Sequence, residues 1–143
     1  MMNVRAMRLA AIAVFGVYLM CSTADASEAK EAAALKSAGK WLALVDAGNY
    51  SESWEAAAGY FQNAVSKEQW QQALNAARRP LGKVLSRNLK SKAFMTELPG
   101  APDGQYVVIE FETSFENKRS GIETVTPMMD EHGSWRVSGY YIK

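Results

Sequence analysis

Two parts of the sequence offer side chains that could carry out acid–base chemistry, and the first is the only histidine, His132. An imidazole can act as a general base near neutral pH. His132 lies in the stretch DEHG beside Gly133, without a second histidine or a nucleophile pattern, and this favours a solvent-exposed turn residue. Because one imidazole gives little support for a metal site, we predict no metal and no cofactor.

The second part is the pair Glu110 and Glu112, whose spacing of two puts both side chains on one face of a strand. Paired carboxylates can divide the roles of acid and base. The predicted register sets Lys92 opposite Glu110 and Lys90 opposite Glu112, so that cross-strand ion pairs on a solvated face explain the pattern more simply. We therefore predict no catalytic residue.

A pair of arginines, Arg78 and Arg79, precedes Pro80 at the end of a predicted helix. Cations at this place interact favourably with the helix dipole, which is the simpler explanation. A guanidinium can also bind an anion or an acidic group of another protein. Arg78 and Arg79 are therefore candidates for anion or partner contact.

These residues are positioned by three predicted helices, which occupy residues 27 to about 82. The first begins at Ser27 and ends before Gly48, and the second begins near Ser51. The third begins with the capping-box pattern Ser66 to Gln69. Apolar residues recur at helical spacing in all three: Leu35, Ala38, Leu42, Val45, Trp54, Ala57, Phe61, Val65, Trp70, Ala73, Leu74 and Ala77.

From about residue 84 the apolar period changes to two, which predicts four strands. They cover Val84–Leu98, Gln105–Glu116, Ile122–Met129 and Ser134–Ile142, separated by the turn sequences PGAPDG, ENKRSG and DEHG. Short turns favour antiparallel neighbours. We predict an α+β fold in which three N-terminal helices pack on one face of a four-stranded antiparallel meander sheet.

Turn lengths predict which side chains face the helices, because one residue more or less flips a whole strand. Even-length turns after the second and third strands put Val107, Phe111, Val137 and Tyr141 on the helix side with Met128, and a five-residue turn, Pro99 to Asp103, adds Met95. The opposite face then collects Lys90, Lys92, Glu110, Glu112, Glu123, Arg136 and Tyr140. In this register no acid–base pair faces inward, and the candidates for a ligand pocket are Trp54, Tyr60, Phe111, Trp135 and Tyr141.

The first 26 residues have the pattern of a cleavable signal peptide. Arg5 and Arg8 precede an uninterrupted apolar run, Leu9 to Met20, and Ala24-Asp25-Ala26 is a small-x-small cleavage pattern. Twelve residues of helix rise about 18 Å, which is short of a roughly 30 Å bilayer core. We expect an exported protein, periplasmic or secreted by a bacterium, with one domain at 27–143 and no membrane span after cleavage. Met20 argues against lipidation at Cys21.

The composition of residues 27–143 excludes several classes of function. Removing Arg5 and Arg8 from 16 basic residues, and Asp25 from 15 acidic ones, leaves fourteen of each. A nucleic-acid-binding protein would show a basic excess. Cleavage after Ala26 also removes Cys21, the single cysteine, so that neither a disulfide nor a thiol nucleophile is expected.

Several stretches together resemble the bacterial family called domain of unknown function 4019. They are KWLALVDAGNYSESWEAAA, SKEQWQQAL, RRPLGKVLSR, LPGAPDGQYVVIEFETSFENK, ETVTP and GSWRVSGYYIK, which lie within residues 35 to 143. The resemblance implies an exported bacterial protein, but no activity and no catalytic residue. The order of elements is also similar to the nuclear-transport-factor-2-like or cystatin-like fold, an analogy that does not define a function.

The sequence favours a non-catalytic module that binds a small apolar ligand or an envelope protein. Two alternatives stay open. One is a cone-fold isomerase or hydrolase that uses Tyr141 or Glu112 in a pocket between helices and sheet. The other is an envelope assembly or stress factor that acts through exposed sheet edges. The sequence does not define the oligomeric state.

Overall fold

The computed structural model describes residues 23–143, which form helices first and strands afterwards. The helices are α1 (Thr23–Asp46), α2 (Tyr50–Ala56), α3 (Gly59–Ala64), α4 (Lys67–Ala77) and a one-turn 3-10 helix (Arg79–Leu81). The strands are β1 (Val84–Met95), β2 (Tyr106–Phe115), β3 (Lys118–Met129) and β4 (Trp135–Ile142).

Helix α1 is longer than the sequence predicted. It already includes Thr23, so Ser27 does not cap its start as expected. It ends at Asp46, and Gly48 adopts a φ of 78°, the left-handed conformation that glycine adopts without a Cβ clash. The buried face of α1 carries Ala34, Ala38, Trp41, Leu42 and Val45.

The predicted second helix is two short helices, because the backbone is extended at Ala57 and Ala58 between α2 and α3. The amide of Ala58 donates to the carbonyl of Val137 in β4 at 2.8 Å, so the interruption ties the helical layer to the sheet. Ala57 and Ala58 are buried at this contact. A tertiary hydrogen bond therefore replaces the continuous helix that local propensity favours.

The capping box at the start of α4 is confirmed. Ser66 accepts from the amide of Gln69 at 3.2 Å, and the side chain of Gln69 accepts from the amide of Ser66 at 3.0 Å. Two backbone donors at the first turn are thereby satisfied. Trp70 and Leu74 form the buried side of the helix.

The sheet has the strand order β1-β2-β3-β4, and all three neighbouring pairs are antiparallel. The predicted α+β class and antiparallel meander are confirmed. α1 contacts all four strands. Its buried residues form one apolar core with Val107, Ile109, Phe111, Val125 and Val137 of the sheet.

The predicted register is wrong at several places, because bulges change the parity along the strands. In the β2–β3 pair, Thr113 lies opposite Gly121 and Phe115 lies opposite Lys118. One residue of β2 therefore faces two residues of β3, so β3 holds one extra residue. β4 holds one at Ser138, after a five-residue turn at Asp130–Ser134, and β1 holds two, at Leu85 and Lys90.

Each bulge turns the following side chains to the other face. Glu123 and Tyr140, predicted outside, lie on the helix side, whereas Tyr141 is 51 % exposed. The connection between β1 and β2 has ten residues, 96–105, rather than the five that were predicted, so Met95 is also exposed and Lys92 pairs with Ile109 rather than Glu110. Val107, Phe111 and Val137 are buried as predicted.

The predicted leader lies mostly outside the described residues. Its basic residues, its apolar run and Cys21 fall within residues 1–22, and only Thr23 to Ala26 belong to α1. Within residues 23–143, no helix is long and apolar enough to span a bilayer.

Candidate functional site

The carboxylate of Glu123 lies fully buried beneath the helices, although the sequence placed it in solvent. Its Oε1 accepts from Thr113 Oγ1 at 2.5 Å and from Arg87 Nε at 2.7 Å. Its Oε2 accepts from Tyr140 Oη at 2.5 Å and from Arg87 Nη2 at 3.2 Å. Four donors and one cation therefore compensate the cost of burying this charge.

Ion pairs extend from Glu123 to the ends of two helices. Arg87 also donates to both oxygens of Asp46, at 2.7 and 3.0 Å, and Asp46 accepts from Arg78 Nη2 at 3.2 Å. Arg78 Nη1 donates to the carbonyl of Gly82 at 2.6 Å, and its guanidinium stacks over the Phe115 ring. Two carboxylates and two guanidiniums make this partly buried network, Glu123–Arg87–Asp46–Arg78, electrically balanced, with Glu123 and Arg78 buried and Asp46 at the surface.

The bulges are what bring the network together. The extra residue Lys90 turns Arg87 to the helix side relative to Phe94 in the same strand, the extra residue in β3 turns Glu123, and the one in β4 turns Tyr140. Bulges often re-aim a side chain next to a functional site. These changes of parity therefore bring three interacting side chains to the helix side of the sheet.

Tyr140 joins the polar network to the aromatic core. Its ring lies 5.3 Å from that of Trp41 and 6.4 Å from that of Trp70, both edge-to-face. Burial raises the pKa of the Tyr140 phenol, and the negative charge of Glu123 raises it further. The phenol therefore stays protonated and donates to Glu123, while its oxygen keeps lone pairs that can accept from a ligand.

The pKa of Arg87 is also perturbed. Burial lowers it, but hydrogen bonds and charge from Asp46 and Glu123 outweigh burial, so the net direction is upward. Arg87 stays cationic and Tyr140 stays neutral.

A groove of about 370 Å³ opens beside Tyr140, between α4 and the last residues of β4. It is lined by aromatic, aliphatic and cationic side chains: Trp70, Ala73, Leu74, Ala77, Arg78, Leu81, Lys118, Tyr140, Tyr141, Ile142 and Lys143. Small-molecule sites typically measure roughly 300–1,000 Å³, so the groove suits a small ligand. We refer to it below as the α4–β4 groove.

Of the five predicted pocket residues, Tyr141 is the one that lines the α4–β4 groove. Trp54 donates to the carbonyl of Val65, and Tyr60 is exposed and donates to the carbonyl of Gly100. Phe111 belongs to the buried core, and Trp135 packs against its edge. The structure therefore does not bring the predicted set together.

The two arginines have different surroundings. Arg78 is 3 % exposed and belongs to the partly buried network. Arg79 is exposed, with its guanidinium over the Tyr50 ring.

The other candidates for chemistry lie in solvent. The side chain of His132 is 78 % exposed in its turn, and Glu110 lies 3.9 Å from Lys90 at the surface. Both positions agree with the simpler interpretation made from the sequence. Among residues 23–143, no cluster of three His, Cys, Asp or Glu side chains could hold a metal ion.

A larger cleft of about 540 Å³ lies between the start of α2 and α4. Exposed amides and carboxylates dominate its lining, such as Glu52, Glu68, Gln72 and Asn75. Arg78 brings the ion pairs of Glu123, Arg87 and Asp46 to the lining of the α4–β4 groove, whereas none of these four residues lines this cleft. We therefore take the smaller groove as the candidate site because of its chemistry, although it is smaller.

Sequence reasoning missed Arg87, Glu123 and Tyr140. A signal was present for Tyr140, because Gly139 interrupts the alternation of the last predicted strand and lies next to a bulge. Glycine inside a strand often marks a bulge. Considering a bulge at Gly139 would have left open an inward Tyr140, whereas Gly121 fell in the predicted turn ENKRSG and gave no such signal for Glu123.

Comparison with known proteins finds one family. The family model described as "Protein of unknown function (DUF4019)" matches residues 37–140, which is most of the chain. The matched range contains the whole partly buried network and most of the groove's lining. No curated protein matches the chain.

Proposed function

We propose that this chain, which belongs to the DUF4019 family, is a non-catalytic module that binds the apolar part of a small molecule in the α4–β4 groove. The main evidence for the proposal is the lining of this groove, in which Trp70, Leu74, Tyr140 and Tyr141 surround a volume of about 370 Å³. Ligand sites combine such apolar walls with a few fixed polar groups. Tyr140 Oη, held by Glu123, is one such group.

Rigid support of the groove favours binding. Trp70 Nε1 donates to Ser53 Oγ at 2.9 Å, and Ser53 Oγ donates to the carbonyl of Tyr50 at 2.7 Å. The Phe61 ring meets the Trp70 ring edge-to-face at 4.9 Å. Side chains whose rotamers are held in this way lose little entropy when a ligand binds.

The state of Glu123 supports a role without catalysis. A general acid or base must reach the proton that it transfers. Glu123 is fully buried, and both of its oxygens already accept hydrogen bonds from the protein. The alternative enzyme based on Glu112 has less support, because Glu112 is exposed on the opposite face of the sheet.

We further propose that the protein works outside the cytoplasm, in the bacterial periplasm or after secretion. The supporting pattern is the basic start with Arg5 and Arg8, the apolar run from Leu9 to Met20 and the small-x-small sequence Ala24 to Ala26. Mass spectrometry of the protein recovered from the envelope fraction tests this part. A chain that retains Met1 and remains in the cytoplasm would contradict it.

Titration calorimetry with the neutral probe octan-1-ol tests the binding proposal. Ala73 and Ala76 are both exposed in α4, but only Ala73 lines the groove. Ala73→Gln fills the groove with a longer polar side chain and should abolish binding, whereas Ala76→Gln should bind as the wild type does. Equal binding by both variants, or no binding by the wild type, would contradict the proposal.

A further inference from the structure

The α4–β4 groove lies at an edge of the sheet. Successive side chains of a strand point to opposite faces, and Tyr140 lies on the helix side whereas Tyr141 lies on the other side. Both tyrosines line the groove, and so does Ile142. A groove that reaches side chains on both faces of β4 borders the edge between them, where the main-chain groups of the strand lie.

The backbone of β4 presents unpaired groups at this edge. Ile122 and Lys143 exchange two hydrogen bonds, of 3.0 and 2.9 Å, as a hydrogen-bonded pair of the antiparallel ladder does. Such pairs alternate with pairs whose N–H and C=O groups point away from the neighbouring strand. Tyr140 and Ile142 belong to the second kind, and the part of the chain that the structure describes offers their backbone groups no hydrogen-bond partner.

The rest of the β4 edge is already occupied. The carbonyl of Trp135 accepts from Ser37 Oγ at 2.6 Å, and the carbonyl of Val137 accepts from the amide of Ala58 at 2.8 Å. The opposite edge strand, β1, is interrupted by its two bulges and carries lysine side chains, which discourage pairing with a further strand. The open part of the β4 edge is therefore the part that borders the groove.

We propose that the ligand of the α4–β4 groove is an N-acylated peptide, whose acyl chain contacts the apolar walls and whose extended backbone pairs with Tyr140 and Ile142. The inference rests on the proposed function, because the groove must first accept the apolar chain. An extended peptide repeats its N–H and C=O groups about every 6.6 Å along one edge, which is the spacing at which β4 presents its own. A hydrocarbon chain with a single polar group cannot match this pattern.

Two probes with the same acyl chain separate backbone pairing from binding of the chain. The amide probe is N-octanoyl-trialanine N-methylamide, and the ester probe replaces its three alanine nitrogens by oxygen, which removes the donors but keeps the length and the carbonyls. Titration calorimetry on the intact protein should show that the amide probe binds at least about tenfold more tightly. The ester probe cannot donate to the carbonyls of Tyr140 and Ile142 and leaves them unpaired beneath it.

A proline at the edge tests the same pairing from the side of the protein. Because the N–H of Ile142 points away from β3, Ile142→Pro removes this donor without removing a ladder hydrogen bond. It should lower the affinity for the amide probe severalfold. Leu89→Pro, in the opposite edge strand and outside the groove, is the matched control and should bind the amide probe as the wild type does.

Amide hydrogen exchange tests the edge without any substitution. The N–H groups of Tyr140 and Ile142 should exchange rapidly in the free protein and slowly at saturation with the amide probe. The N–H of Tyr141, which pairs with Thr124 in the ladder, should exchange slowly in both states.

Three results would overturn the inference and leave the binding proposal intact, provided that octan-1-ol binds. They are equal affinities for the amide and ester probes, rapid exchange at Tyr140 and Ile142 in the complex, and a ligand-free dimer in which a second copy already protects both amides. Failure of octan-1-ol and both probes to bind would overturn the binding proposal as well.

Discussion

At the residue scale, the stability of the molecule depends on how the buried charge of Glu123 is compensated. A buried carboxylate without partners costs several kcal/mol, and here Thr113, Tyr140 and Arg87 all donate to it. Arg87 links it to Asp46, so that the sheet and the C-terminal end of α1 share one guanidinium. The same contacts fix the Tyr140 ring at the wall of the groove.

Removing the central acceptor should be strongly destabilising. Glu123→Ala leaves Arg87, Thr113 and Tyr140 without their shared acceptor, and we expect a loss of about 3 kcal/mol in the free energy of unfolding. Glu112→Ala, on the exposed face, should stay within about 0.5 kcal/mol of the wild type. Urea denaturation measures both, and a similar cost for the two variants would mean that Glu123 is not the centre of the network.

Alkaline pH should weaken the fold through Tyr140. Its pKa is raised in the folded protein, by burial first and then by the charge of Glu123. The unfolded phenol loses its proton near pH 10 while the folded one keeps it, so that stability is fully present below about pH 10 and falls as pH rises further.

Substitution by phenylalanine separates this contribution from those of the other tyrosines. Tyr140→Phe should cost about 1.5–3 kcal/mol at neutral pH and lose less additional stability between pH 9 and 11 than the wild type. Tyr141→Phe should lose as much stability as the wild type over this pH range, since Tyr141 is exposed. Urea denaturation across this pH range gives both values, and identical slopes for the two variants would argue against a buried Tyr140.

At the element scale, the apolar periodicity predicted the helices and the strands that follow them, but it could not predict which side chains of the strands face the helices. The strand limits found in the structure lie within about four residues of the predicted ones, because alternation and turn residues are local signals. A bulge inserts one residue and is stabilised by tertiary contacts, such as those of Arg87 with Asp46 and Glu123. The sequence alone therefore predicted the sheet, but not the inward turn of Glu123 and Tyr140.

The connection between α4 and β1 offers a test at this scale. Gly82 has φ 78° and ψ −159°, and a Cβ there would lie 3.0 Å from Glu116 Cβ in the β2–β3 turn. Gly82→Ala should cost about 1–3 kcal/mol. Gly59→Ala meets no atom within 4 Å and should be neutral or slightly stabilising. Thermal unfolding compares the stabilities of the two variants. A Gly82→Ala variant as stable as the wild type would contradict the close contact between these turns.

At the scale of the whole molecule, four strands and a helical layer bury one core and leave the α4–β4 groove at its edge. The predicted α+β class and antiparallel meander are confirmed, whereas the predicted pocket residues do not lie together at one site. Trp54 and Trp135 stabilise local packing, and Tyr141 lines the groove. The analogy with nuclear-transport-factor-2-like folds stays a prediction. The function we propose follows from the groove, whose position depends on residues that local patterns cannot assign to a face.

Chemical-shift mapping with octan-1-ol on the isotope-labelled protein tests the central claim most directly, because it locates the ligand without any substitution. We predict that the largest shifts occur at the Trp70 indole and at the amides of Leu74, Ala77 and Tyr141, around the groove. Shifts concentrated at Asn49 and Asn75 in the polar cleft, or a spectrum that does not change at saturating octan-1-ol, would contradict the account.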